Sequence, residues 1–240
     1  MLQRILAAVL LGPVLLVPAS SAAAAPAPAD GTRIDVLGDL ATADRIAVFV
    51  PGVDTTPQDF GRCEAQVRAL YAATAAEGHT AVVAWLGYDP PEGLGLEAAR
   101  EVRARAGAPA LDAYLDGLAV QRPGARITVI GHSYGAIVVG LAAHAAPRQV
   151  DALVTLGAPG MSVDRAADLR THARVWSALA AADWIHRVPQ VRILGLGLGT
   201  RPSTPSFGSQ PLPTGGVRAH DGYLAAGSQT LPAVAELVTR

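Results

Sequence analysis

Gly131-His132-Ser133-Tyr134-Gly135 follows directly on Ile127-Thr128-Val129-Ile130 and runs directly into a stretch from Ala136-Ile137-Val138-Val139 to Ala146. The leading flank is short, apolar and rich in β-branched residues, which marks a buried strand. The trailing flank is an apolar run of helix length, stopped by Pro147. A G-x-S-x-G pattern between strand and helix is a nucleophile elbow, whose two glycines allow the sharp turn that lifts the serine hydroxyl above the sheet. The bare pattern is common by chance. Its flanks single out Ser133 as the candidate nucleophile.

A serine hydroxyl attacks only when a histidine accepts its proton and a carboxylate orients that histidine. Behind such an elbow the acid comes next in the chain and the histidine last. His144, His172, His186 and His220 follow Ser133. His144 falls within the helix behind the elbow, and His172 and His186 flank the acids rather than follow them. His220 comes late, in Arg218-Ala219-His220-Asp221-Gly222-Tyr223, and is the expected base. His132 reads as a packing or supporting group. No glutamate separates Ser133 from His220, and the acids there are Asp151, Asp164, Asp168 and Asp183. Asp151 opens a strand, at the wrong edge of a sheet. Asp183 follows Arg174–Leu179, an expected strand, and is favoured. Asp164 stands second, because residues 173–187 can also be drawn as a helix.

The rest of the chain alternates strand and helix, the pattern of a mostly parallel sheet covered on both faces. Strands are expected at Arg33–Leu37, Arg45–Val50, Thr80–Leu86 and Asp151–Gly157. Helices are expected at Glu64–Glu77, Leu96–Ala106, Ala110–Leu118 and Gln229–Thr239, the middle pair split at Gly107 and Pro109. Loops at the carboxyl ends of such strands build the site. The loop Val50-Pro51-Gly52-Val53-Asp54 is where one oxyanion-binding amide belongs, the other following the nucleophile. Those donors are the backbone amides of Val53 and Tyr134, although a plain Pro-Gly turn capped by Asp54 fits the same stretch. Asp54, Tyr88 and Asp89 border the expected cleft and are candidate substrate contacts. A proline-stiffened turn is the weightier reading of Tyr88-Asp89.

Half of the 240 residues are apolar, the formal net charge is -1, and no run of like charges exists. This argues against nucleic acid as a partner. Arg4, the apolar Ile5–Val17 and the small residues up to Ala25 read as a secretory signal peptide over residues 1–25, with one domain over 30–240. The apolar stretch is too short to span a bilayer, so no stable membrane insertion is expected after cleavage. Cys63 is the lone cysteine and cannot pair within the chain. It lies at a helix start without an elbow and reads as structural. Gly195-Leu196-Gly197-Leu198-Gly199 lacks the spacing and helix of a dinucleotide loop, and no metal-ligand motif occurs, so neither cofactor nor metal is expected.

Several blocks resemble the actinobacterial α/β-hydrolases long known only as a domain of unknown function. They are Val50 to Thr56, Trp85-Leu86-Gly87-Tyr88-Asp89-Pro90-Pro91, the elbow, Leu156-Gly157-Ala158-Pro159-Gly160, Asp183-Trp184-Ile185, Phe207-Gly208, and His220 with Tyr223. The resemblance implies an α/β-hydrolase fold with little or no cap domain, and Ser133, Asp183 and His220 as nucleophile, acid and base. His220 is followed by Asp221-Gly222 where the family has His-Ser-x-Tyr. The expected activity is hydrolysis of a small-molecule or lipid ester. Acyl transfer to an alcohol through the same acyl-enzyme, or a silent binding protein on the same fold, are the alternatives.

Overall fold

The computed structural model describes residues 31–190 and 196–240. The expected leader and Gly195 lie outside the described residues. The longest apolar, β-branched stretches become the middle of the sheet, where both faces are covered. Thr80–Leu86 is buried at every position, and Arg45–Val50 at all but its first. Among the described residues the strands are β1 (Arg33–Leu37), β2 (Arg45–Val50), β3 (Thr80–Leu86), β4 (Arg126–His132), β5 (Val150–Leu156), β6 (Arg174–Ala178) and β7 (Gln210–Pro211). They form one sheet in the order β1-β3-β2-β4-β5-β6-β7. Only β1 runs antiparallel, on the edge beside β3, and the other pairings are parallel.

The helices are α1 (Gly61–Thr74), α2 (Val102–Gln121), α3 (Gly135–Ala142) and α4 (Thr230–Thr239). From β2 through α1 to β3 the chain moves toward one edge; through α2 and α3 it moves toward the other. Right-handed crossovers therefore put α1 on one face and α2 with α3 on the other. α4 packs on α1, and α2 on α3. Alanines such as Ala47, Ala81, Ala104 and Ala136 are fully buried, so the layers approach closely. This is an α/β-hydrolase fold. No separate cap interrupts the described chain; segments 87–101 and 179–209 carry short turns in their described parts.

Three elements differ from the expectation. α2 is a single helix that begins at Val102 rather than Leu96, after a stretch of turns, and runs through Gly107 and Pro109. Gly107 faces Tyr88, where an added Cβ would stand 2.4 Å from the Tyr88 Cβ, so this glycine is a close-packing position and not a break. Pro109 and Arg105 both face solvent, and water can satisfy the Arg105 carbonyl that the proline leaves without a donor. α3 ends at Ala142, short of the expected Ala146. Residues 200–217, whose prolines and glycines predict a loop bordering the cleft, contribute β7, a two-residue edge strand, a position where Pro211 loses no ladder bond.

Candidate active site

Ser133 occupies the bend between β4 and α3 with φ of 53°, in the left-handed region. The turn therefore falls on the serine itself. The flanking glycines supply space instead. A Cβ on Gly131 would stand 2.5 Å from the Ala136 Cα, and one on Gly135 would meet the carbonyls of Val50 and Pro51. Gly52 leaves the loop after β2 lying against Ser133, since a Cβ there would be 2.6 Å from the Ser133 Cβ. Neither the Val53 nor the Tyr134 amide hydrogen-bonds to any group among the described residues, and both residues line a cavity with Ser133. The Tyr134 hydroxyl donates to the Arg100 carbonyl at 2.6 Å, which ties the elbow to the entry of α2.

Asp183 stands at the carboxyl end of β6, as the cap of a 3-10 turn over Trp184–Arg187. Its carboxylate is fully buried and accepts three donors. These are the His220 Nδ1 at 2.9 Å, the Ile185 amide at 2.9 Å and the Tyr223 hydroxyl at 2.5 Å. Burial by itself would raise the carboxyl pKa, but the hydrogen bonds from His220, Ile185 and Tyr223 outweigh it and hold Asp183 below the usual carboxylate range. Tyr223 in turn accepts from the Ala180 amide at 3.1 Å. Burial, then the hydrogen bond to Asp183, pushes the phenol upward, so it remains a donor.

The bond from Nδ1 to a carboxylate fixes the proton of His220 on that nitrogen. Its Nε2 is buried and has no hydrogen-bond partner among the described residues. His220 and Ser133 line the same cavity. No hydrogen bond joins Nε2 to the serine hydroxyl, and such bonds commonly tighten only when substrate engages. The late-chain histidine, the acid after β6 and the elbow serine therefore come together from three separated stretches. Asp164, the alternative acid, is exposed and accepts from the Thr200 hydroxyl at 3.1 Å.

His132 is buried, and its ring lies 4.8 Å from that of His220. Its Nε2–H donates to the His220 carbonyl at 3.0 Å, so it holds the main chain of the expected base. Burial, and then the adjacent imidazole, lowers its pKa to about 4, which keeps it neutral. The Trp184 ring also packs on His220, its centroid likewise 4.8 Å away. Arg201 clamps the turn after Asp183 by donating to the carbonyls of Ile185 and Val188, each at 3.0 Å.

The candidate substrate contacts separate. Asp54 lines the cavity, with φ of 57°, and its carboxylate accepts from the Gly93 amide at 2.5 Å. Tyr88 is buried and donates to the Pro51 carbonyl at 2.6 Å, which braces the loop after β2. Asp89 is exposed and pairs with Arg103. Neither Tyr88 nor Asp89 lines the two cavities at Ser133. Cys63 does line one, but its thiol is buried and burial raises its pKa, so it stays protonated. The roles of Tyr223, Trp184, Arg201 and Gly157 were not read from the sequence. Gly157, after β5, has φ of 58°, and a Cβ there would be 2.8 Å from the Asp183 carboxylate and 3.0 Å from the His220 ring. The signals for it are its place right after an apolar strand and its block Leu156-Gly157-Ala158-Pro159-Gly160. Among the described residues no group of three or more His, Cys, Asp or Glu could hold a metal, and no helix is long and apolar enough to cross a membrane.

The chain is similar to an uncharacterized protein of Mycobacterium tuberculosis (strain CDC 1551 / Oshkosh), 30% identical over 243 residues, covering 87% of this chain and 37% of that protein. An uncharacterized protein of Mycobacterium bovis is 32% identical over 146 residues, covering 55% and 54% of the two chains. The chain thus spans little more than a third of the first relative and about half of the second. Among solved structures, esterase PE8 aligns with a TM-score of 0.54 at 18% identity, covering 86% of this chain and 97% of that one. A predicted CIB-like hydrolase from Thermoplasma acidophilum aligns at 0.53 and 16%, covering 88% and 94%. At these identities the structures speak for the fold alone. The model of an alpha/beta hydrolase family matches residues 27–193, and the chain belongs to that family.

Proposed function

We propose that the protein is a serine hydrolase acting on carboxylic esters through an acyl-enzyme. The observation that carries this reading is the His220 imidazole. Its Nδ1–H is committed to the buried Asp183 carboxylate, while its Nε2 is unpartnered in the cavity it shares with Ser133. His220 takes the Ser133 proton as the hydroxyl oxygen adds to the ester carbonyl. Asp183 stabilises the imidazolium, kept ionised by its three donors. The amides of Val53 and Tyr134 receive the oxyanion, each worth about 3 kcal/mol in such sites. His220 passes its proton to the departing alcohol, then activates water to release the acid.

The test is labelling with a fluorophosphonate together with turnover of p-nitrophenyl acetate. Wild type should label at Ser133 and turn over, and Ser133→Ala should do neither. Undiminished turnover by Ser133→Ala would refute the assignment. Export accompanies the proposal: the mature protein recovered from culture medium should begin after residue 25, and an intact amino terminus there would sink that part.

A further inference from the structure

Two cavities open on Ser133, and they differ in chemistry. The smaller, about 220 Å³, is bordered by His220, Asp221, Arg62, Asp59, Asp54 and Gln66. The larger, about 470 Å³, is walled mainly by apolar groups, among them Ala98, Ala99, Pro159, Ile185 and Val188, with Arg187 its one charged lining residue among the described residues. Val53, Leu94, Ser133 and Trp184 belong to both, so the serine sits at their junction.

The direction in which an ester must lie follows from the proton. When the acyl carbon bonds to the serine oxygen and its bond to the alcohol oxygen breaks, the imidazole proton moves to that departing oxygen. The alcohol must therefore occupy the imidazole's side, and His220 borders only the smaller cavity of the two. Three carboxylates against a single guanidinium disfavour an anionic leaving group there. Gln66 adds a specific feature: it is 8% exposed, and its Oε1 is buried without a hydrogen-bond partner among the described residues. Buried polar atoms are nearly always paired, and a hydroxyl is the group that pairs with either end of a carboxamide.

Resting on the serine-hydrolase reading, we infer that the substrate is an ester of an apolar, medium-length acyl chain with a small, neutral, polyhydroxy alcohol, the acyl chain lying in the larger cavity and the alcohol against Gln66. Gln66 is a specificity residue and takes no part in the proton transfers.

The test compares substrates on the wild-type protein first. The kcat/KM for p-nitrophenyl octanoate should exceed that for the acetate by about tenfold or more, and monooctanoylglycerol should exceed ethyl octanoate by a similar factor. Ala99→Trp should lower the octanoate-to-acetate ratio about tenfold, and Gln66→Leu the glycerol-to-ethyl ratio about tenfold. Fluorophosphonate labelling reports that each variant retains a folded site, and the wild-type ratios decide without any variant. Acetate favoured over octanoate, or ethyl ester favoured over glycerol ester, overturns the inference. If those preferences fail while Ser133 labels and the acetate turns over, this inference alone falls. If neither labelling nor acetate turnover occurs, the hydrolase reading falls and this one with it.

Discussion

Tyr223→Phe removes one oxygen atom, and the structure sets what that oxygen does. It donates to the Asp183 carboxylate at 2.5 Å and accepts from the Ala180 amide at 3.1 Å, inside a side chain with no solvent exposure. A hydrogen bond to a charged acceptor contributes about 1.5–3 kcal/mol, and an orphaned buried amide costs about 1–3 kcal/mol. The two share an atom and do not simply add, so the variant should lose about 3 kcal/mol of unfolding free energy at neutral pH. For a domain of this size that lowers Tm by roughly 6–12 °C.

The effect should depend on pH, with a sign fixed by Asp183. Its folded pKa lies below the unfolded value, so its ionised form contributes stability that is present above about pH 4 and lost as pH falls through the folded value. Loss of the tyrosine donor raises the folded value and narrows that gap. Urea unfolding of both proteins should therefore show a difference that is largest near neutrality and shrinks below about pH 4. Activity should fall about tenfold, because His220 and Ile185 still hold the carboxylate, against about ten-thousandfold for Asp183→Asn. A difference under about 1 kcal/mol at neutral pH, or one that does not shrink in acid, would refute the reasoning.

The left-handed Ser133 carries strain that glycine would relieve, so Ser133→Gly should be inactive yet more stable by about 1 kcal/mol, read by denaturant melts. Gly157→Ala should do the reverse, losing stability and most activity together, because its Cβ meets the Asp183 carboxylate at 2.8 Å and its φ is 58°. His132 is neutral when folded, with a pKa near 4, whereas an unfolded histidine protonates near 6.5. Stability should therefore fall as pH drops between those values, and His132→Phe should flatten that slope in unfolding measurements; an unchanged slope would count against the assignment.

The fold was legible because it is written in continuous local signals. Thr80–Leu86 and Arg45–Val50 are uninterrupted apolar runs bounded by turns, and their strand limits coincide with the structure. Gly107 with Pro109 misled, since the cue for a break is identical to the cue for close packing against Tyr88. Chain order and strand ends point to the elbow serine, the late histidine and the acid after β6, and the structure sets Ser133 and His220 on one cavity with Asp183 bonded to His220. The groups that set the acid's charge could not. Tyr223 reaches Asp183 across forty residues, and nothing in the pattern around it announces a buried carboxylate. Gln66 faces the cleft from α1 as one position among alternating small and polar residues, and only burial distinguishes it.

Three costly features meet at the site: a non-glycine residue at positive φ, a buried carboxylate, and a buried imidazole nitrogen without a partner among the described residues. Each is unfavourable locally and persists because neighbouring elements over-determine it. Ser133 is fixed by the strand before it and the helix after it. Asp183 is fixed by donors from its own turn and from the segment carrying both His220 and Tyr223. His132 links the two halves, since it belongs to the elbow and holds the His220 carbonyl. Its single side-chain hydrogen bond makes the position of His220 depend on the same bend that raises Ser133, so a change that relaxes the elbow should also loosen the imidazole.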